Sequence, residues 1–337
     1  MKIEEHISLK EFNSFGIDVK ASQYIKITED QSLVDLLKSK EYSNPFILSG
    51  GSNILLTKDL NRLVIHMCTK GIEIYDETSD EIIIKVKAGE IWHDFVQWCV
   101  DKNYAGLENL SLIPGFVGSA PIQNIGAYGV EQQDCFYACE VLDRTTITKT
   151  RLTKKDCEFG YRESIFKSKA KDRYIITAVY YQLKKTNHQL KTSYGAIEEQ
   201  LTLKEISHPT IKDVANAVIA IRSEKLPDPK KIGNSGSFFK NPIISKASIE
   251  QLKKKYPSIP TYVVNENYVK VAAGWLIEQA GYKGKTKGNV GTHHKQALVL
   301  INHGNATGKE LVDFSEEIIT AIQTQFNITL EAEVRII

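Results

Sequence analysis

The sequence predicts a globular protein of two or three domains that mixes helices and strands, on three observations. Its 337 residues are enough to bury more than one core. Short strand patterns and amphipathic helical patterns are interleaved along its length. No G-x-G-x-x-G occurs, so the elements are not arranged around the phosphate turn of a dinucleotide-binding Rossmann fold.

Each element has its own signal. Residues 31–40 read as a helix with Leu33, Leu36 and Leu37 on one face. Phe46–Leu48 and Leu63–Met67 read as short apolar strands. In 81–87, Ile82, Ile84 and Val86 alternate with Ile83, Lys85 and Lys87, the pattern of a half-buried strand. Ile91 to Asn103 reads as a helix whose Ile91, Phe95, Trp98 and Cys99 share a face. Residues 174–183 form an apolar strand, and from Lys184 to Pro209 the chain turns polar around Thr192-Ser193-Tyr194-Gly195, an excursion from its domain. Ile211 to Glu224 is amphipathic with Ile211, Val214, Ala215 and Val218 inward, and it stops at Leu226-Pro227-Asp228-Pro229, a plausible hinge. Val271 to Gln279 and Leu311 to Phe326 read as helices, the latter with Leu311, Phe314, Ile318 and Ile322 on one side; Gln296–Ile301 reads as a strand. In the last strand, Leu330, Ala332, Val334 and Ile336 face one way and Glu331, Glu333 and Arg335 the other.

Composition narrows the function. The net charge of +2 supplies no field for nucleic acid or an anionic membrane. No apolar run approaches the ~20 residues of a membrane span, and the start of the chain has no apolar signal region, so a cytoplasmic location is expected. Five cysteines, none spaced as C-x-x-C, read as buried or idle thiols, and no metal site is expected. Gly284-Lys285-Thr286 imitates the end of a P-loop but lacks the first glycine. His293-His294 has no carboxylate or cysteine beside it and reads as solvated or structural.

Three stretches carry the chemistry. Gly233-Asn234-Ser235-Gly236-Ser237-Phe238-Phe239-Lys240-Asn241-Pro242 reads as a loop with two glycines, a hydroxyl, two rings and a Lys-Asn pair. It is either a surface loop with buried rings or a hydroxyl held above a flat ligand. Ser49-Gly50-Gly51-Ser52-Asn53 follows a strand and makes either a backbone nest for phosphate oxygens or an ordinary turn. The segment from Leu112 to Gly129 is too broken by Gly and Pro for a core helix and too apolar for a disordered linker, which suits backbone amides laid against a large flat ligand. Arg162 stands among aromatics: packed on a ring, paired to a carboxylate, or a guanidinium fork aimed at a ligand carboxylate. Glu331 and Glu333 line either a solvated edge or a cleft in which one is placed for acid–base work.

Taken together, Gly50-Gly51-Ser52-Asn53, Pro114-Gly115 through Gly129, Gly160-Tyr161-Arg162-Glu163-Ser164, Lys225-Leu226-Pro227-Asp228-Pro229, Gly236-Ser237-Phe238-Phe239-Lys240-Asn241-Pro242 and Glu331–Arg335 closely resemble the UDP-N-acetylenolpyruvoylglucosamine reductase family. These flavoenzymes make UDP-N-acetylmuramate for bacterial peptidoglycan. The resemblance covers essentially the whole chain; the insertion with Tyr194 is that of the family's longer type. Gly50 is a small departure, standing where related sequences can carry other residues.

The resemblance implies a vanillyl-alcohol-oxidase-type FAD-binding unit of two subdomains, 1–67 and 68–225, with an insertion at about 184–209. A smaller α+β substrate lobe at 226–327 and a returning strand at 328–337 complete it. It implies FAD as cofactor, NADPH as co-substrate and an enolpyruvyl sugar nucleotide as substrate, with no protein partner evident. It assigns catalysis to Arg162, Ser237 and Glu333. It assigns FAD contacts to Gly50, Gly51, Ser52, Asn53, Pro114, Gly115, Ser119, Asn124, Gly126, Tyr128 and Arg335. It assigns substrate contacts to Tyr194, Lys225, Asn241, Tyr262, Lys283 and Gln296. Two other readings stay open: another FAD-dependent oxidoreductase of the same fold class, and a flavin-binding protein without catalysis.

Overall fold

The computed structural model describes residues 2–39 and 41–337. The chain divides into two compact units: Met1–Ile7, Ala21–Gly51 and Leu60–Glu224 in the first, and Ser8–Lys20, Ser52–Asp59 and Lys225–Ile337 in the second.

The first unit is built on two larger sheets. In one, Glu4–Ser8, Lys20–Ile27, Leu60–Met67 and Phe46–Leu48 lie in that order, the last two pairings parallel. Helix α1, Asp30–Lys38, lays Leu33, Val34 and Leu36 on it, with Leu37 half-buried; residue 40, the expected helix end, lies outside the described residues. The other sheet is antiparallel, in the order Lys149–Thr153, Phe136–Asp143, Tyr174–Lys184, Glu81–Lys87, Ile72–Glu77. Period-2 alternation puts Ile82, Ile84 and Val86 into its core, each fully buried. Helix α2, Trp92–Asp101, covers that core with Trp92, Phe95, Val96, Cys99 and Val100. The expected inward Ile91 is instead the residue before the helix and is exposed: its backbone is extended, so the helical face starts one residue later at Trp92. The polar excursion is not featureless. It contains helix α3, Gly195–Leu203, whose Ile197 and Leu201 pack on Val218 and Ile221 of helix α4, Ile211–Lys225.

The second unit has a sheet ordered Gly233–Ser237, Val299–Asn302, Val290–Thr292, Thr286–Lys287, and a smaller one ordered Ile243–Ser245, Tyr268–Val271, Thr261–Val263. Helices α5 (Lys246–Lys255), α6 (Ala273–Gln279) and α7 (Gly308–Phe326) accompany them. Helix α7 begins at a capping box of Thr307 and Glu310 and buries Leu311, Phe314, Ile318 and Ile322. Two expectations need correction here. Gly233–Ser237 is an edge strand rather than a loop, because its backbone finds partners along Val299–Asn302. The last strand is regular only at Arg335–Ile336, which pairs in parallel with Ile54–Leu55, and Ile336 is exposed rather than inward. Among the described residues no helix is long and apolar enough to cross a membrane.

The start of α7 presses on the chain at Leu56: a Cβ on Gly308 would lie 1.9 Å from the Leu56 carbonyl oxygen. Backbone cannot step aside as a flexible side chain does. Gly308→Ala is therefore expected to destabilise the protein by about 1–3 kcal/mol or more, read as a lower urea midpoint. An unchanged midpoint would mean that helix and backbone are not in contact.

Candidate active site

In the first unit, the turn at Ser49–Gly51 meets the glycine-rich segment. A Cβ on Gly50 would lie 2.8 Å from Gly115 Cα, so the two turns pass backbone to backbone where only glycine fits. Gly51 takes φ 60°, and Pro114, just before Gly115, is exposed. The Gly115 carbonyl accepts from Trp92 N at 2.9 Å, and the Ser119 hydroxyl donates to Phe116 O at 2.7 Å. Phe116 lies flat against His66, with ring centroids 6.0 Å apart and planes within 3°, while Lys70 Nζ stands 5.5 Å from its centre. Ser49 Oγ and Thr69 Oγ1 are buried without a hydrogen-bond partner. Unmet buried hydroxyls beside a bare glycine cradle are what a large polar cofactor would satisfy, so these residues fit FAD.

The rest of the segment is held by side chains. Asn124 is fully buried at φ 47°; its Nδ2 donates to Glu131 Oε2 (2.8 Å) and Gly160 O (3.0 Å), and its Oδ1 accepts from Gln132 and Gln133. That amide is fully engaged within the protein, and the Asn124 N–H donates to Pro121 O at 3.3 Å. Arg162 sits at φ 56° with its guanidinium 5.5 Å from the Tyr161 ring and Nη2 donating to Gly126 O at 2.5 Å. It is thus packed on a ring, as one local reading has it, and its fork is set by a backbone carbonyl. Tyr128 lies at φ 51°, and its ring meets that of Tyr194 at 5.3 Å, nearly edge-on.

In the second unit, Ser237 ends the edge strand at a break in register between Asn234 and Ser237. Gly236 carries φ 71° there, and its N–H donates to Asn234 Oδ1, so the irregularity re-aims the exposed Ser237. Phe238 and Phe239 are buried, anchoring the chain just beyond the hydroxyl. The two rings are therefore core, as one local reading has it, and the Ser237 side chain is exposed. The next residues pair antiparallel with the chain's last segment. Glu333 N donates to Phe238 O (2.8 Å), Lys240 N donates to Glu331 O (2.9 Å), and Phe239 bridges Ala332. Lys240 Nζ reaches Glu331 Oε1 at 2.6 Å. On its other side the segment is held by Asn53: Nδ2 donates to Glu333 O at 3.2 Å, and Asn53 O accepts from Arg335 N at 3.1 Å. Asn53 thus serves the terminal segment; Ser52 precedes it in the same unit, and Arg335 is exposed.

The expected substrate residues are placed as follows. Asn241 Oδ1 accepts from Ala273 N at the start of α6, and Gln296 Oε1 lies beside Gly274 in the same turn. Lys283 pairs with Glu278 on α6 at 2.9 Å. Tyr262 and Tyr194 are half exposed, and Lys225 ends α4 in solvent. His293 is buried and His294 exposed. Sequence reasoning missed the His66–Phe116 stack, Asn109 and Arg222, whose partners lie far away in the chain and leave no local signal.

Residues 228–337 match the family model described as UDP-N-acetylenolpyruvoylglucosamine reductase, C-terminal domain, and residues 21–149 match an FAD binding domain. Among similar proteins, a UDP-N-acetylenolpyruvoylglucosamine reductase of Flavobacterium johnsoniae is 53% identical over 337 residues, all of both chains. One of Pseudomonas fluorescens is 43% identical over 335 residues, covering 99% of this chain and 98% of the relative. The crystal structure of UDP-N-acetylenolpyruvylglucosamine reductase from Thermus caldophilus superposes with a TM-score of 0.68 at 22% identity, over 100% of this chain and 99% of that one, and so shares its fold. The FAD binding domain model and the full-length reductase relatives define an FAD-dependent oxidoreductase, and its fold is α+β. The full-length identities place the chain in one branch of that class: it belongs to the UDP-N-acetylenolpyruvoylglucosamine reductase family.

His66 gives this region a pH signature. Burial holds its pKa down at about 4, against an ordinary 6.5, while its Nδ1 is bonded to the Tyr24 hydroxyl at 2.7 Å. Between those two values the unfolded chain binds a proton that the folded chain does not, so stability is intact above pH 6.5 and falls as pH drops toward 4. The loss assigned to this one group is about 3 kcal/mol. His66→Phe, which retains a ring against Phe116, is expected to flatten the fall in urea midpoint between pH 6.5 and 4.5. Equal slopes in both proteins would remove His66 as the cause.

Proposed function

We propose that this chain reduces UDP-N-acetylglucosamine enolpyruvate to UDP-N-acetylmuramate, a peptidoglycan precursor, with NADPH as reductant and Arg162, Ser237 and Glu333 as catalytic residues. Family membership supports the reaction. The observation that carries the residue assignment is the backbone pairing of Glu333 with Phe238, which keeps a carboxyl and the Ser237 hydroxyl on adjoining segments of one unit. Five free thiols fit a reducing, cytoplasmic setting.

FAD, when bound, would supply hydride-transfer chemistry between NADPH and the enol ether. The turns at Gly50–Gly51 and at Pro114 through Tyr128 would hold it, with Ser52, Asn53 and Arg335 as further contacts. Addition of hydride to C3 puts negative charge on C2 and on the conjugated carboxylate. Arg162 neutralises that carboxylate, its guanidinium preset by the Gly126 carbonyl. Glu333 stabilises the same charge in its protonated form, since a carboxylate there would repel it. Ser237 gives its proton to C2. A free hydroxyl is a weak acid, so a lysine or an ordered water must replace that proton. Tyr194 closes on the nucleotide, with Lys225, Asn241, Tyr262, Lys283 and Gln296 as polar contacts.

Single-turnover kinetics of Ser237→Ala test the proton donor. Flavin bleaching by NADPH is expected at a near-normal rate, while reoxidation by the enolpyruvyl sugar nucleotide slows by roughly 10²–10⁴-fold. Equal losses in both halves would refute the assignment. For Tyr194→Phe, substrate binding is expected to weaken with little change in the NADPH half; an unaltered substrate affinity would remove Tyr194 from the site.

A further inference from the structure

Three residues of the first unit converge on Tyr128, and no catalytic role uses two of them. Asn109 is 1% exposed. Its Nδ2 donates to Tyr128 O at 3.0 Å and to Lys191 O at 2.8 Å, joining the glycine-rich segment to the insertion just before Tyr194. Arg222, on α4, donates from Nε to Leu112 O at 3.3 Å, and its guanidinium stands near the Tyr128 hydroxyl. Both Leu112 (φ 59°) and Tyr128 (φ 51°) are left-handed, a conformation that bulky side chains adopt only when their surroundings impose it. The Tyr128 ring then has two neighbours. It meets Tyr194 edge-on at 5.3 Å, and it packs on the small apolar cluster of Ile197, Leu201, Val218 and Ile221 that joins α3 to α4.

We propose that Asn109 and Arg222 are positioning residues that hold Tyr128 as the seat of the Tyr194 ring, and so set the fraction of molecules in which the insertion is docked and able to take the sugar nucleotide. The effect on affinity rests on the reading of Tyr194 as a substrate contact; the seat itself does not. The Tyr194 ring meets Tyr128 edge-on, so a Tyr128 that is less firmly held weakens that contact and the docking it supports. Apparent substrate affinity falls in proportion to the docked fraction.

The test uses the FAD-loaded protein with two readouts: amide hydrogen exchange across residues 190–203, and KM for the enolpyruvyl sugar nucleotide beside the rate of flavin bleaching by NADPH. Asn109→Ala is expected to speed exchange there about tenfold and raise KM in step, with bleaching within about twofold of the parent. Tyr128→Leu removes the seat and is expected to speed the same exchange. Adding it to Tyr194→Ala is expected to bring a smaller increase than it brings alone, because the ring contact is already gone and only packing on α3 is left to lose. Arg222→Lys keeps the charge without the fork, and is expected to give a smaller rise of about threefold; it serves if Asn109→Ala does not fold. Unchanged exchange in Tyr128→Leu and Arg222→Lys would overturn the seat, as would a general rise across the first unit. If exchange responds while Tyr194→Ala leaves KM unaltered, the seat stands and the substrate role of Tyr194 falls.

Discussion

The second unit depends on one short antiparallel pairing, Phe238–Lys240 against Glu331–Glu333. It joins segments nearly a hundred residues apart in the chain and places the serine strand beside the acidic one. Two buried phenylalanines anchor one side, and Asn53 holds the other through the Glu333 carbonyl. The Lys240–Glu331 contact lies at its outer edge, where Glu331 is largely exposed and the ion pair adds little stability. Main-chain bonding fixes the Glu333 backbone, with a side-chain amide behind it. Bonds in a fixed register leave that backbone less freedom than a loop would, which suits the role proposed for Glu333.

Much of this was legible in the sequence, for identifiable reasons. Period-2 alternation located Ile82, Ile84 and Val86 because a sheet with one buried face admits little else. Helical spacing located the inner faces of α1, α4 and α7. Glycines at Gly50 and Gly115 marked a close backbone approach, although the sequence did not say that they approach each other. Where reading failed, the cause was long-range. Gly233–Ser237 has no side-chain alternation to mark it as a strand; only the neighbouring Val299–Asn302 makes it one. The end of the chain alternates well but finds few backbone partners, so Ile336 is left in solvent. The side-chain partners of Asn124 (Glu131, Gln132, Gln133 and Gly160) also left no mark in the sequence.

The first unit solves a different problem. A segment rich in glycine and small residues must be rigid enough to cradle a large ligand, although glycine favours disorder. Rigidity comes from buried amides and aromatic faces: Asn124 and Asn109 tie main-chain carbonyls together, and His66 backs Phe116. These supports lie on other strands and helices, so the shape of the cradle is set by the whole unit.

The left-handed backbone at Leu112, Asn124, Tyr128 and Arg162 has a consequence for anyone wishing to harden this protein against heat. Replacing such residues with glycine relieves local torsion, a common engineering manoeuvre. At Asn124, Tyr128 and Arg162 the side chain also grips a neighbour, so relaxed torsion at Tyr128 or Arg162 comes with a loosened cradle. Thermal hardiness and a well-formed pocket thus compete at the same few positions.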